Sequence, residues 1–284
     1  MDHATGLAID AKGNILISGT TYSADGDFLN KRRSFDSTSY YGDSSRYPQF
    51  YNQSNDAFIA KLSSTGELIN LRCYGGTKSD ILSSIILDGE NGYFAGGSTG
   101  STDFDVKGNN IGVANWFVKI DTSLNLIAEH SIGVAKGFSP YSPEAHFLKL
   151  KKNGKLLFSN GVISYEIDKS GNLVSGPLSI GLSTNDYFDA AENLYKIDSP
   201  YSNKKLIKFD SSLNVVWTKI IPGVNFYEMK TVAGDGESIL YLLGMSYREY
   251  ENEPYFKFVG TAIKYGETYN YITGKIFADV NKTG

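Results

Sequence analysis

The chain has 284 residues and a net charge of −4, with 30 glycines, 20 tyrosines and 16 phenylalanines. The small, dispersed charge argues against nucleic acid as a partner, and no apolar stretch approaches the ~20 residues that span a bilayer, so we expect no membrane insertion. Cys73 is the single cysteine, which excludes a disulfide within the chain and predicts a buried free thiol.

One type of predicted hairpin occurs twice in the first part of the chain. "GLAIDAKGNILISGTTYSADGDF" (6–28) aligns with "SSIILDGENGYFAGGSTGSTDF" (83–104). Both read as an apolar strand, an Asp-led turn, a second apolar strand and a closing Asp-Phe pair. We expect Asp10 and Asp88 to form the turns, because a short polar side chain can bond its own backbone there. Looser copies follow at 146–162, 186–198 and 228–246.

A second type of hairpin follows the first. Its copies are "KLSSTGELINLR" (61–72), "KIDTSLNLIAEH" (119–130), "EIDKSGNLVSGP" (166–177) and "KFDSSLNVVWTK" (208–219). The predicted turns are led by Ser63, Asp121, Asp168 and Asp210. The charged residues of these hairpins are predicted to face water between apolar strands, and Phe58 and Phe117 are predicted to lie in the core.

Paired hairpins of fixed order predict four-stranded antiparallel blades at about 40–50 residue spacing. The fold class is therefore all-β, a β-propeller with five blade units that form either a closed ring or part of a larger propeller. A sandwich of irregular hairpins would not explain the alternation. The predicted domain is 1–272, with units at about 4–76, 80–133, 143–181, 185–223 and 227–272.

Three predicted insertions fall between the second and third strands of a unit, at 31–55, about 105–113 and 247–257. Loops of this length are usually functional, and exposed tyrosines can stack on sugars or peptides. The alternative is that the rings form a small core of the insertion itself. The candidate ligand-binding residues are Tyr40, Tyr41, Arg46, Tyr47, Phe50, Tyr51, Tyr247, Tyr250 and Tyr255.

The sequence contains few residue patterns that are typical of catalytic or metal-binding sites. The chain has three histidines, His3, His130 and His146, without metal-ligand spacing, and it has no nucleophile elbow or phosphate loop. We therefore predict no catalytic residue, no metal site and no cofactor. A pair of catalytic carboxylates contributed by different blades would show no fixed spacing in the sequence. A glycoside hydrolase or lyase with an axial pocket is therefore the alternative function.

The first two units resemble bacterial β-propeller repeats of the SBBP type. The residues of the second unit that match the motif of these repeats are Gly75, Gly76, Asp80, Asp88, Asn91, Gly97, Thr99, Ser101, Asp103 and Phe104. The residues of the first unit that match the same motif are Asp2, Asp10, Gly13, Asn14, Gly19, Thr21, Ser23, Asp27 and Phe28. The resemblance implies a secreted or surface protein of a bacterium and implies no particular activity.

The last residues, "GKIFADVNKTG" (274–284), resemble the first strand of B-type, immunoglobulin-like or prealbumin-like modules of bacterial surface proteins. We expect 273–284 to begin such a module and the export signal to lie outside this sequence. Calcium is expected only in that module, because the metal needs six to eight oxygen ligands. A dockerin-like calcium loop is the alternative.

Together these features predict a non-enzymatic, monomeric propeller module of an extracellular bacterial protein, acting as a scaffold or as an adhesion and ligand-binding surface. Its loop face would bind a glycan or a protein. A carbohydrate-active enzyme and a purely architectural spacer are the alternatives.

Overall fold

The computed structural model describes residues 2–23, 25–29, 54–89, 92–107, 112–133, 147–198, 205–221, 226–234, 239–248, 257–266 and 269–272, with backbone alone for most strands after 225. These residues belong to two compact units, Met1–Ser183 and Thr184–Gly284. The described part contains one short 3₁₀ helix, Gly26–Phe28, and twenty strands. It has no helix that is long and apolar enough to cross a bilayer.

The first unit contains three four-stranded sheets. Sheet one consists of β1 (Asp2–Ile9), β2 (Ile15–Thr21), β3 (Asp56–Leu62) and β4 (Leu68–Tyr74). Sheet two consists of β5 (Asp80–Leu87), β6 (Tyr93–Thr99), β7 (Ala114–Ile120) and β8 (Leu126–Gly133). Sheet three consists of β9 (Phe147–Leu150), β10 (Leu156–Ser159), β11 (Ser164–Ile167) and β12 (Leu173–Leu178).

The second unit contains two more sheets of the same kind. Sheet four consists of β13 (Tyr187–Phe188), β14 (Leu194–Asp198), β15 (Lys205–Phe209) and β16 (Val215–Ile220). Sheet five consists of β17 (Phe226–Gly234), β18 (Ile239–Arg248), β19 (Lys257–Gly266) and β20 (Tyr269–Ile272). In all five sheets each strand pairs antiparallel with the next strand in the chain.

The turns form because an aspartate folds the backbone around its own carboxylate. Asp121 Oδ1 accepts hydrogen bonds from the N–H groups of Ser123, at 2.8 Å, and Asn125, at 2.7 Å. The same pair of bonds occurs at Asp10, Asp168 and Asp210, which confirms the turns predicted at these four aspartates. Asp189 makes them too, in the turn of the looser hairpin copy predicted at 186–198.

Each sheet of the first unit buries side chains on both faces. On β7, Trp116 and Val118 pack in a core shared with sheet one, whereas Phe117 packs with Phe94 and Phe158 in a core shared with sheet three. Four-stranded antiparallel sheets that stack face to face are the blades of a β-propeller, so the predicted fold class is confirmed.

Sheet one has a second, smaller core on its other face. Phe58 packs there with Leu71 and Cys73, while its neighbour Ile59 faces the core shared with sheet two. Cys73 is a buried free thiol, as predicted. The burial of Phe58 and Phe117 confirms their predicted place in the core.

The second unit has its own core between sheets four and five. Tyr195 and Leu206 of sheet four pack there with Val232, Leu240 and Leu242 of sheet five. The module predicted to begin at residue 273 lies outside the described residues and stays a prediction.

Candidate functional site

Most of the predicted ligand-binding residues lie outside the described part of the chain: Tyr40, Tyr41, Arg46, Tyr47, Phe50, Tyr51, Tyr250 and Tyr255. Tyr247 lies in β18, where its backbone is opposite Phe258 of β19. Arg248 pairs with Lys257 in the same ladder. The third predicted insertion is therefore shorter than 247–257, because its ends continue the strands.

The edge of the first unit that carries the long connections is here called the insertion face. Residues 22–55 connect β2 to β3 on this face, and residues 75–79 connect β4 to β5. The matching β10–β11 connection in sheet three needs only residues 160–163. The sheet topology therefore requires few of the residues between β2 and β3.

Both ends of the long connection are fixed to the blades. At its start, Thr21 Oγ1 donates a 2.5 Å hydrogen bond to Asp2, and Ser23 Oγ donates a 2.8 Å bond to the same carboxylate. At its end, Asn55 Nδ2 donates to the Asp80 carbonyl at 3.2 Å, and the Asn55 carbonyl accepts from the Asp80 N–H at 2.8 Å. The connection thus begins and ends at residues that are hydrogen-bonded to the sheets.

Asp80 occupies in sheet two the place that Asp2 occupies in sheet one. Its carboxylate accepts hydrogen bonds from Thr99 Oγ1 and from Ser101 Oγ, the latter at 2.8 Å. Asp80 is fully buried, and burial raises the pKa of its carboxyl to about 7, although these hydrogen bonds act in the opposite direction. The resemblance of the two units therefore has a physical basis in one repeated contact.

The opposite edge of the first unit, called the turn face, contains a cavity of about 390 Å³ between sheets one and two. Its lining includes Asp10, Lys12, Lys61, Tyr93 and Thr122. The Lys61 ammonium donates to Tyr93 Oη at 3.0 Å and to the Thr122 carbonyl at 3.1 Å, and it lies 3.5 Å from Asp10. Tyr93 Oη in turn donates to Asp10 at 3.1 Å.

Lys61 was predicted to face water, and that prediction is wrong: only 8% of the residue is exposed. It is buried because it reaches from sheet one to the next blade. Burial disfavours its charged form, but its hydrogen bond to Tyr93 and the charge of Asp10 outweigh that cost and raise the pKa of Lys61. The pKa of Asp10 is lowered, because hydrogen bonds from Asn14 and Tyr93 outweigh the desolvation of its carboxyl.

The same arrangement recurs in sheet two and is inverted in sheet three. Lys119 lies 3.0 Å from Asp88 and also donates to the carbonyl of Lys169 in the next blade. In sheet three the two positions exchange charge, since Lys151 pairs with Glu166 at 3.2 Å. The sequence reading missed these pairs, although the inversion between aligned repeats is visible in the sequence.

The polar groups of the turn-face cavity are satisfied by one another. Each proton of the Lys61 ammonium has an acceptor, and both Asp10 oxygens accept hydrogen bonds from its own turn or from Tyr93. These contacts join blades, and they engage Lys61, Tyr93 and Asp10 with one another.

The described residues contain no cluster of three or more histidine, cysteine, aspartate or glutamate side chains that could hold a metal ion. His3 lies in β1 and His130 in β8, opposite Phe117, while His146 is outside the described residues. The two described histidines are therefore strand residues in separate sheets.

No protein-family model and no curated protein sequence matches the chain. Among solved structures, a protein of unknown function from Bacteroides caccae is similar, with 12% identity and a TM-score of 0.44 over 92% of this chain and 78% of its own. A catalytically inactive virginiamycin B lyase from Staphylococcus aureus, solved with quinupristin, has 14% identity and a TM-score of 0.29, over 85% of this chain and 91% of its own. At these scores the likenesses carry no weight for function, and the fold assignment rests on the sheets themselves.

Proposed function

We propose that this chain is a non-enzymatic, glycan-binding propeller module of a bacterial surface protein, and that the connection between β2 and β3 carries its binding surface. One observation carries the proposal: residues 22–55 make a connection that sheet three completes with residues 160–163. Binding residues concentrate on long loops held by a rigid scaffold, because such loops vary without cost to the core.

The composition of the connection supports a glycan as the ligand. It holds six aromatic residues together with three arginines, within residues 31–55. Tyrosine offers a flat apolar face for a sugar ring and a hydroxyl for its polar rim, at a small cost in side-chain entropy. Arginine adds hydrogen-bond donors for hydroxyl or carboxylate groups.

The hydrogen bonds at both ends of the β2–β3 connection support its proposed role as a binding surface. The start of the connection is bonded to Asp2 through Thr21 and Ser23, and its end is bonded to Asp80 through Asn55. A surface mounted in this way loses less conformational entropy on binding than one on a free loop.

The repeated contacts of Asp2 and Asp80 also support the proposed kinship with SBBP-type repeats and hence a secreted or surface location. In both units the motif aspartate accepts from a threonine and a serine hydroxyl. A B-type module after residue 273 would fit the same setting.

An enzyme is the less favoured reading. A glycoside hydrolase needs carboxylates open to its substrate. The Asp80 carboxylate is instead buried, and that of Asp10 is engaged by hydrogen bonds from its own turn and from Tyr93 and by the charge of Lys61. These two carboxylates therefore serve the fold.

The test is a glycan array probed with the chain and with a variant that carries Tyr40→Ala, Tyr41→Ala and Tyr51→Ala. We expect the variant to lose binding at an unchanged melting temperature. A melting temperature that falls by ~10 °C or more would instead assign the rings to a core. Silence of the unmodified chain on the array would overturn the glycan proposal and direct the search to protein partners.

A further inference from the structure

The backbone at Phe104 is unusual for a residue with a large side chain. Phe104 follows β6 on the insertion face and has a φ of 53°, in the left-handed region where a Cβ crowds the neighbouring carbonyl. The other non-glycine residues with positive φ in the described part of the chain are Leu124, Glu192 and Leu213. Each of these closes a hairpin turn, at the place that Gly13 holds in the first hairpin. Phe104 lies outside the hairpin turns, so the hairpin motif does not account for its conformation.

A tight turn formed by residues 103–106 carries Phe104. The Val106 N–H donates to the Asp103 carbonyl at 3.0 Å and closes this turn, which is called the Phe104 turn below. Asp105 and Val106 are both buried, and Val106 belongs to the core that sheets one and two share. The Phe104 residue itself is 57% exposed. The turn therefore buries the two residues that follow Phe104 and leaves much of its ring open to solvent.

The Phe104 turn is fixed to the segment that joins sheets one and two, residues 75–79. The Thr77 N–H donates to the Asp103 carboxylate at 2.8 Å. The Asp105 N–H donates to the Gly75 carbonyl at 3.1 Å, and the Asp105 carboxylate accepts from the Gly75 N–H at 3.3 Å. Hydrogen bonds on both sides of Phe104 thus hold its backbone, and an unfavourable φ persists in a folded protein where the surroundings fix it in this way.

The same segment joins the Phe104 turn to the end of the β2–β3 connection. Ser54 Oγ donates to the Thr77 carbonyl at 3.2 Å, while the Thr77 N–H is bonded to Asp103. One residue of the segment therefore contacts both the connection and the Phe104 turn. Phe104 lies beside the end of the connection to which the proposed function assigns the binding surface.

The first unit shows how the aligned phenylalanine contributes to the fold. Phe28 closes the same sequence motif and belongs to the 3₁₀ helix Gly26–Phe28. Its ring packs edge-on against Phe58 of β3, with 5.3 Å between the ring centroids. Phe104 is more exposed than Phe28 and has the less favourable backbone conformation. A strained backbone that carries an exposed ring is typical of a residue retained for function rather than for stability.

We propose that Phe104 is a sugar-stacking residue, whose exposed ring binds the apolar face of a sugar ring beside the β2–β3 connection. The inference rests on the proposed glycan-binding function and adds a residue to the same surface. An aromatic ring offers a flat apolar contact, and a fixed backbone reduces the entropy that is lost on binding. Lys107, which follows the Phe104 turn, is exposed and carries donors for the hydroxyl groups of such a ligand.

The test applies the glycan array to the whole chain, to Phe104→Gly, to Phe104→Tyr and to the control Ile127→Ala. Ile127 is 55% exposed and lies in β8 of the same sheet, at the end beside the turn face. We expect Phe104→Gly to weaken binding about 10-fold or more, because an anchoring ring is removed. Phe104→Tyr and Ile127→Ala should bind as the unmodified chain does.

Two results on the array would overturn the proposal, and they differ in what they mean for the proposed function. If the unmodified chain and Phe104→Gly bind the same glycan equally, Phe104 is not a stacking residue, while the glycan-binding function stands. If the unmodified chain binds no glycan on the array, both proposals fail together.

A second measurement tests the strain at Phe104 without a ligand. Phe104→Gly and Phe104→Ala both remove the ring, but alanine keeps a Cβ in the left-handed region. In chemical denaturation we expect the folding equilibrium of the glycine variant to be about 5-fold more favourable than that of the alanine variant. The same pair of substitutions at Ile127 should rank in the opposite order, because glycine weakens a strand. A glycine variant at Phe104 that is no more stable than the alanine variant would remove the strain and overturn the proposal.

Discussion

Replacing Phe117 with alanine tests the stacking of the blades. The ring is fully buried on the face of β7 that packs against sheet three. Its centroid lies 5.5 Å from that of Phe94 in a stacked arrangement and 6.4 Å from that of Phe158. The substitution removes the transfer energy of a buried ring, leaves a cavity between two sheets and breaks both ring contacts.

Truncations of this kind cost about 3–5 kcal/mol, and the two ring contacts place this one toward the upper end of that range. For a unit of the size of Met1–Ser183, this corresponds to a fall in melting temperature of roughly 6–20 °C. The assay is chemical and thermal unfolding of the whole chain. Phe104→Ala is the control, because the Phe104 ring is 57% exposed and should cost less than about 1 kcal/mol. Equal effects of the two substitutions would refute the assigned core between sheets two and three.

Two further substitutions test the contacts between and within blades. Lys61→Met should lower the free energy of unfolding by about 2–4 kcal/mol, because it leaves Asp10 and the Thr122 carbonyl without their buried donor; a change below ~0.5 kcal/mol in urea denaturation would show that the contact joins nothing. Gly92→Ala should cost clearly more than Gly89→Ala. Both glycines have positive φ, but a Cβ on Gly92 would lie 2.1 Å from the Ile120 carbonyl, whereas a Cβ on Gly89 meets nothing within 4 Å. The ranking is measured by thermal unfolding, and equal melting temperatures would contradict the β6–β7 pairing.

The fold could be predicted from local sequence because its signals are local. Strand, turn and strand lie within about 20 residues, and an aspartate such as Asp121 closes its turn through bonds to Ser123 and Asn125. The alternation of two hairpin types then gave the four-stranded blade. Phe58 and Phe117 could be placed in the core because they lie in apolar strands.

The contacts between blades could not be predicted in the same way. Lys61 meets Asp10, Tyr93 and Thr122 across large separations in the chain, and a charged residue beside a turn ordinarily faces water. The aligned repeats do contain one signal from which such a contact could be predicted. The charges of Asp88 and Lys119 in the second unit are exchanged at the aligned positions of the third, Lys151 and Glu166. A compensating exchange of charge indicates that two positions touch.

The candidate binding residues remain a prediction for a different reason. Stacking of a sugar on a tyrosine depends on where several rings point, and spacing along a connection such as 31–55 does not determine this. The structure adds the hydrogen bonds that fix the two ends of the β2–β3 connection, from Thr21 to Asp2 and from Asn55 to Asp80.

The central claim is that the connection between β2 and β3 carries the glycan-binding surface. Its most direct test is a glycan-array comparison of the chain with a variant that lacks residues 31–53. The deletion keeps Ser23, Ser54 and Asn55, whose hydrogen bonds fix the two ends. We predict that the variant keeps the melting temperature of the unmodified chain and loses its glycan binding. Binding that survives the deletion would contradict the account, because it would place the binding surface elsewhere on the molecule.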